Sequence, residues 1–419
     1  MLGLTIVILL PDLAGVCRYR NITMNQTSSV TDRARLLYKT QIGWRRHLHQ
    51  YPELSNREFK TTAFIGKVLK KCGYRLMKVN YPTGVIAELR GKDKGPTVAI
   101  RADIDALPVT EKTAVPFKSR VPGVMHACGH DVHTAVALGV AALLAEQRNG
   151  LNGNVRFIFQ PAEEMPPGGA QYMIASGAMK GVDVIFGLHV EPQLQVGKIG
   201  LRDGAVFAAN FDFDVIIHGR GGHGARPNLG IDAIVVAAEV INRVQHIVSR
   251  EIDPIDPVVI SFGEIQGGTA RNVIADTVRL VGTARWLSEK LNGRIPSMIT
   301  RAITSICASY GATCEIVDIG CYPLLKNDPA VNAIYRRNWE KLFGKGKIDL
   351  TDPVLGSEDF AGYLERVPGS MFRLGIMNKK IKADRPWHST FFKVDEEAIF
   401  YGTALLTAAT LDYMENGGK

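Results

Sequence analysis

MHACGHDVHT, residues 125–134, brings His126, Cys128, His130, Asp131 and His133 into one short stretch. Residues 135–145 follow at once and are rich in Ala, Leu and Val, the composition of a buried helix. Soft and borderline donors this dense at a helix entrance point to a transition-metal site. The plainer alternative is a loop with capping polar side chains.

The flanking sequence decides between the two. Residues 97–101 form an apolar run that ends in the polar burst Arg101-Ala102-Asp103-Ile104-Asp105. Residues 155–159 end in Gln160-Pro161-Ala162-Glu163-Glu164, and residues 184–188 end in His189. Together with a further strand at 84–89, these runs alternate with helical patterns at 31–48, 58–72 and 135–145, as in an α/β domain with a mainly parallel sheet. Ligands of such sheets gather at the carboxyl ends of the strands. Three strand ends therefore deliver Asp103, Asp105, Glu163, Glu164 and His189 to one edge, beside the Cys128–His130 loop. A bare Glu-Glu pair is ordinarily a solvated acidic turn, but in this setting the metal reading wins.

After Gly204 the texture changes. Residues 211–217 open with strict alternation, Phe211-Asp212-Phe213-Asp214-Val215, the mark of a half-exposed strand. A helix at 231–249, strands at 258–265 and 277–286, a helix at 295–309 and a strand at 314–319 complete the order β-α-β-β-α-β of a ferredoxin-like unit. Helix and strand texture then returns at 330–343 and 371–376. The chain thus divides into an N-terminal tail (1–30), a discontinuous catalytic domain (31–205 and 320–419) and an inserted α+β lid or dimerisation domain (206–319). Gly219-Arg-Gly-Gly-His-Gly224 matches G-x-G-x-x-G, yet Pro227 and Asn228 separate it from the next helix and the preceding strand is half-polar. A glycine-rich turn presenting His223 is the better reading than a dinucleotide site.

Composition narrows the class. At 419 residues the chain exceeds the usual size of a single core. No apolar run is long enough to span a bilayer. The first ten residues, MLGLTIVILL, are apolar but lack a basic lead and meet Pro11, so they read as a poor signal peptide or a misassigned start ahead of Met24. A cytoplasmic location is expected. The six cysteines are irregularly spaced and form no disulfide framework. A net charge of +9 is spread over scattered Lys and Arg without interleaved aromatics, which disfavours nucleic acid as a partner.

From RRHLHQYPEL (45–54) through IRADIDALPV, HACGHDVHTA, FQPAEE, GLHV, GRGGHGARP, GGTARNVIAD and GSEDF to WHSTFF (387–392), the chain resembles a known family. It is that of the metal-dependent amidohydrolases, including hippurate hydrolase, N-acyl-amino-acid amidohydrolase and plant indoleacetyl-amino-acid hydrolases, within the aminoacylase and glutamate carboxypeptidase-type clan. The resemblance covers about residues 45–409. It implies two divalent metal ions per subunit, with Cys128 as bridging thiolate and His130, Glu164, His189 and His388 as the other ligands. It also implies Glu163 as the catalytic carboxylate, Asp105 as a supporting aspartate, and a homodimer in which His223 and Asn272 of the inserted domain reach an active site. Arg285 or Arg271 is a candidate for holding a substrate carboxylate.

Three positions depart from the family pattern and bear on substrate preference: Met165-Pro166-Pro167 after the paired glutamates, Trp387 before His388, and Asn228 in place of a second histidine. Asp103, His126, His133, His218 and His246 read as structural, and His47 and His49 have no role derivable from sequence.

Amide hydrolysis needs a strong nucleophile and a stabilised oxyanion at neutral pH, which a metal pair supplies. Imidazole, carboxylate and thiolate suit zinc, manganese, cobalt or nickel alike. The expected activity is cleavage of an N-acyl amino acid to carboxylate and free amino acid. The alternatives are a dipeptidase or carboxypeptidase on the same site, a cysteine hydrolase using Cys128 and His130, and a metal-binding protein without catalysis.

Overall fold

The computed structural model describes residues 5–11, 17–23 and 29–417, with side chains described from residue 29. Strands Thr5–Pro11 and Cys17–Thr23 pair antiparallel. Met24 and the question of the true start lie outside the described residues. The chain separates into two compact units, one of residues 1–204, 327–351 and 363–419, the other of 205–326 and 352–362. The second unit therefore takes in two stretches, 320–326 and 352–362, that the sequence reading gives to the catalytic domain.

The first unit is built on an eight-stranded sheet. Across it run Ile348–Leu350, Ile199–Leu201, Gly369–Met377, Val184–Gln195, Asp93–Asp103, Asn152–Gln160, Val85–Arg90 and Arg75–Leu76. Its four long central strands are parallel, and antiparallel pairs lie towards the edges. These central strands are buried on both faces, with Ile100, Phe157, Phe186 and Phe372 fully enclosed. Continuous apolar runs of this kind are what a parallel sheet covered by helices requires. Val30–Gln50, His130–Glu146 and Glu397–Asn416 pack against one another, and the last two pack on the sheet. No element is expected at 397–416 from the sequence alone. That helix is apolar nearly all round, so it carries no amphipathic period to find.

One strand end differs from expectation. Val184–Gln195 continues past His189, because Gly369–Met377 pairs along it in register His189↔Arg373 and Leu374↔Val190. His189 thus stands within a strand. The register that pairs Ile100 with Phe186 still brings it level with Asp103.

In the second unit the sheet order is Val258–Gly267, Thr277–Trp286, Ala209–His218, Thr313–Gly320, all antiparallel. Helices Ala233–His246 and Arg294–Ser309 complete a ferredoxin-like arrangement. Strict alternation in Thr277–Trp286 turns Val278, Leu280, Ala284 and Trp286 to the helices' core. The Gly-rich stretch is part strand and part turn: Arg220 bridges to Ile231, and the chain turns at 224–225. Gly222–His223 pairs with Val273–Ile274, a short 3-10 turn Pro227–Leu229 intervenes, and the helix that follows is capped by Asp232.

Candidate metal centre

The site in the first unit is assembled from a turn, two strand-linked segments and a late loop. Gly129 turns the chain into helix His130–Glu146 with φ +92. A Cβ there would come within 2.4 Å of Val190 Cγ2, so only glycine lets the Cys128–His130 turn lie against the strand carrying His189. Ala162 and His388 also adopt left-handed backbone, φ 51 and 63, without being glycine. Each such residue costs about 1–2 kcal/mol. Both stand at candidate ligands, Ala162 just before Glu163-Glu164 and His388 being one itself. The His388 N–H donates to Ala127 O at 2.9 Å, which ties this loop to the thiol loop.

Cys128, His130 and His189 form one group whose ligand atoms lie within 4.8 Å of one another; Cys128, Glu164 and His388 form a second, and His130, Glu163 and Glu164 a third. Cys128 Sγ is 3.5 Å from His189 Nε2, and Glu164 Oε1 is 3.4 Å from His388 Nε2 and 3.8 Å from His130 Nε2. The first two groups share the thiol. His388 is the solvent-facing member, its side chain 54% exposed, whereas His130 and His189 are buried.

Hydrogen bonds fix the rings. His130 Nδ1 donates to Asp105 O at 2.9 Å, with Asp105 Oδ1 at 3.2 Å, leaving Nε2 bare towards the group. Asp105 Oδ2 also accepts from Glu164 N at 3.0 Å and Ser55 Oγ at 2.7 Å, so one buried carboxylate sets both His130 and the glutamate backbone. Glu163 is 8% exposed, with Oε2 4.0 Å from His130 Nε2.

The electrostatics call for a cation. Burial, followed by the carboxylates of Glu164, Glu163 and Asp103, pushes the Cys128 thiol well above its usual range. Burial opposes the His130 imidazolium, but Asp103, Asp105 and Glu164 outweigh it and bring that pKa to about 10. Burial first, then His133, holds His189 well below the ordinary value, in the neutral form a metal ligand needs. His130 Nε2 and Glu164 Oε1 are buried with no hydrogen-bond partner, atoms that a bound cation would satisfy. Imidazole, thiolate and carboxylate in this arrangement fit divalent transition metals. Asp103, His130 and His133 also converge, but Asp103 is already engaged by Arg101 and by His133, each at 2.6 Å.

The remaining sequence candidates lie in the second unit. His223 sits in the short strand pair with its Nδ1 accepting from Ala225 N at 3.1 Å, and Asn272 O accepts from Gly224 N at 2.8 Å. Arg285 donates to Leu355 O at 3.0 Å and to Ser357 Oγ at 3.2 Å, within its own unit.

A second layer escaped the sequence reading. Arg45 Nε donates to Asp131 at 2.7 Å, and His49 Nδ1 lies 2.9 Å from the same oxygen, with Glu111 3.4 Å from the other ring nitrogen. The sequence signal was the spacing of Arg45 and His49, one helical turn apart and so on one face, pointing at a partner that only the fold could name.

Residues 99–412 match the family model described as Peptidase family M20/M25/M40. The chain is 45% identical over 68% of its length, and 78% of the relative's, to an N-acyl-L-amino acid amidohydrolase from Geobacillus stearothermophilus. It is 42% identical to thermostable carboxypeptidase 1 of Saccharolobus solfataricus, covering 85% of this chain and 91% of that one. Among solved structures, a Bacillus subtilis protein named as a dinuclear metal binding peptidase superposes with a TM-score of 0.79 at 36% identity, over 91% of this chain and 99% of that one. The chain is an amide-bond hydrolase by family, and it belongs to peptidase family M20/M25/M40.

Proposed function

We propose that this chain hydrolyses the amide bond of N-acyl amino acids, releasing a carboxylate and a free amino acid, with two divalent ions bound by Cys128, His130, Glu164, His189 and His388. The observation that carries this is the pair of three-donor groups sharing the Cys128 thiol, with Glu163 beside them. Relatives named as N-acyl-L-amino acid amidohydrolase and N-acetylcysteine deacetylase support the substrate class. When bound, the ions supply Lewis acidity towards the carbonyl and lower the pKa of water.

The chain's own residues do the rest. Asp105 fixes a proton on His130 Nδ1, so Nε2 is the nitrogen through which the ring would bind a metal ion in place of its second proton. Glu164, fixed through its backbone to Asp105, is the ligand of the pair, while Glu163 takes the proton from water and passes it to the leaving amine. His223 and Asn272 are the proposed contacts for the developing oxyanion, and Arg285 for the substrate carboxylate. The second unit is the proposed lid and dimerisation module, its edge strand exposing Val259 and Ile265. Sedimentation showing only monomer at micromolar concentration would remove the dimer.

A carboxypeptidase acting through the same site is the second reading, supported by the relative of that name. Purified protein reloaded with Zn²⁺, Mn²⁺, Co²⁺ or Ni²⁺ is to be assayed on N-acetyl and N-benzoyl amino acids beside dipeptides and N-blocked peptides. Higher kcat/KM on acyl amino acids supports the proposal, whereas preference for peptides selects the second reading. Activity that survives a chelator but not Cys128→Ser would instead indicate a cysteine hydrolase. No turnover on any substrate would leave a metal-binding protein.

A further inference from the structure

The two peptide units that meet at Val190, next to His189, are each held by a residue outside the ligand set. Its N–H donates to His133 Nε2 at 3.0 Å. That fixes the proton of His133 on Nδ1, which donates to Asp103 Oδ1 at 2.6 Å, while Arg101 holds the other oxygen of Asp103 at 2.6 Å. On the far side, Val190 O accepts from His189 Nδ1 at 2.8 Å and from Trp387 Nε1 at 3.0 Å. The Trp387 indole also stands edge-to-face on the His189 ring, centroids 5.3 Å apart at 86°. His189 Nε2 is left facing Cys128 Sγ.

We propose that the backbone of Val190, its N–H held by His133 and its C=O by Trp387, is a clamp through which these two residues position His189 for metal binding. This rests on the metal site proposed above and adds two positioning residues to it. The carbonyl takes the proton of His189 Nδ1, so the lone pair must sit on Nε2. Trp387 shares that carbonyl and walls the ring, and His133 holds the N–H of the preceding peptide, the one that joins His189 to Val190.

The test is a Co²⁺ titration of metal-depleted full-length protein, read by visible absorption, with thermal melting as the check on folding. Trp387→Phe keeps a ring but loses the N–H, and His133→Phe removes both of that residue's bonds. Each is expected to weaken Co²⁺ binding by about tenfold or more, the usual range for residues that orient metal ligands, and to alter the absorption envelope. Phe391→Leu, an exposed change in the Trp387 loop, is expected to bind Co²⁺ as the wild type does. Trp387→Phe and His133→Phe matching the wild type would overturn the clamp while leaving the metal site standing. Equal weakening by Phe391→Leu would also overturn it. A wild type that takes up no Co²⁺ would overturn the metal site itself. Should His133→Phe fail to fold, Trp387→Phe decides alone, its half-buried side chain being the milder change.

Discussion

Replacing Arg45 by Met should destabilise the first unit, because it strips a buried carboxylate of its guanidinium. Arg45 is 3% exposed and donates to Asp131, itself 1% exposed, at 2.7 Å. Asp131 is held far below the usual carboxylate range: burial resists the charge, and Arg45 and then His49 overcome it. Removing one partner of such a pair leaves a buried charge uncompensated, which costs about 3–5 kcal/mol. The loss should fall at the lower end, about 3 kcal/mol, because His49 remains 2.9 Å away. Burial and Arg45 push the His49 pKa down, but hydrogen bonds to Asp131 and Glu111 raise it above the ordinary value, and deleting Arg45 raises it further.

The sign of the pH effect follows from that direction. A histidine whose folded pKa is raised contributes stability fully below its unfolded pKa and loses it as pH climbs through the folded one. Arg45→Met should therefore be closer to wild type at pH 6 than at pH 9. The assay is thermal or urea unfolding followed by tryptophan fluorescence; Trp44, Trp339 and Trp387 all report on the first unit. A loss of about 3 kcal/mol corresponds to roughly 6–12 °C in a unit of this size. Arg46→Met is the control, since Arg46 is 44% exposed where it meets Glu396 and such pairs contribute about 0–1 kcal/mol. Equal melting of the two variants at both pH values would refute the reasoning.

Other outcomes follow from the same structure. Glu163→Gln should lower turnover by about 10²–10⁴-fold while leaving metal content unchanged, as measured by kinetics beside elemental analysis. Gly129→Ala should lose metal affinity and thermal stability together, because φ +92 and the 2.4 Å approach to Val190 Cγ2 leave no room for a methyl group; a soluble, fully metallated variant would contradict this. Burial raises the Glu146 pKa to about 7, with Arg33 only partly offsetting it. The folded state therefore favours the protonated acid, and stability is lost as pH rises from the unfolded value through 7. Glu146→Gln should stabilise the protein at pH 8 by up to about 3 kcal/mol, fading to nothing near pH 4, in pH-resolved melts.

Much of the architecture was legible because chemistry and periodicity coincided. Apolar strands ending in Asp103–Asp105 and Glu163–Glu164 mark a parallel sheet and its active edge at once. The alternation of Phe211, Phe213 and Val215 fixes the half-exposed sheet of the inserted unit. What stayed hidden depends on pairing across the sheet or between distant elements. Residues 190–195 carry no strand signal that their partner Gly369–Met377 does not confer. Asp103 and His133 read as ordinary core residues until the fold brings them within 2.6 Å of each other. Arg45 and His49 are 86 and 82 residues from Asp131, a separation no local pattern reports. Trp387 stood out as unusual, but its carbonyl partner at Val190 is a backbone atom and so leaves no trace in side-chain identity.

Anomalous diffraction from crystals of the protein soaked in Mn²⁺ or Zn²⁺ tests the central claim most directly. Two peaks are expected, enclosed by Cys128, His130, Glu164, His189 and His388, with the thiolate touching both and Glu163 bonded to neither. A single peak, or one seated on Asp103 and His133 with Cys128 unliganded, would contradict it.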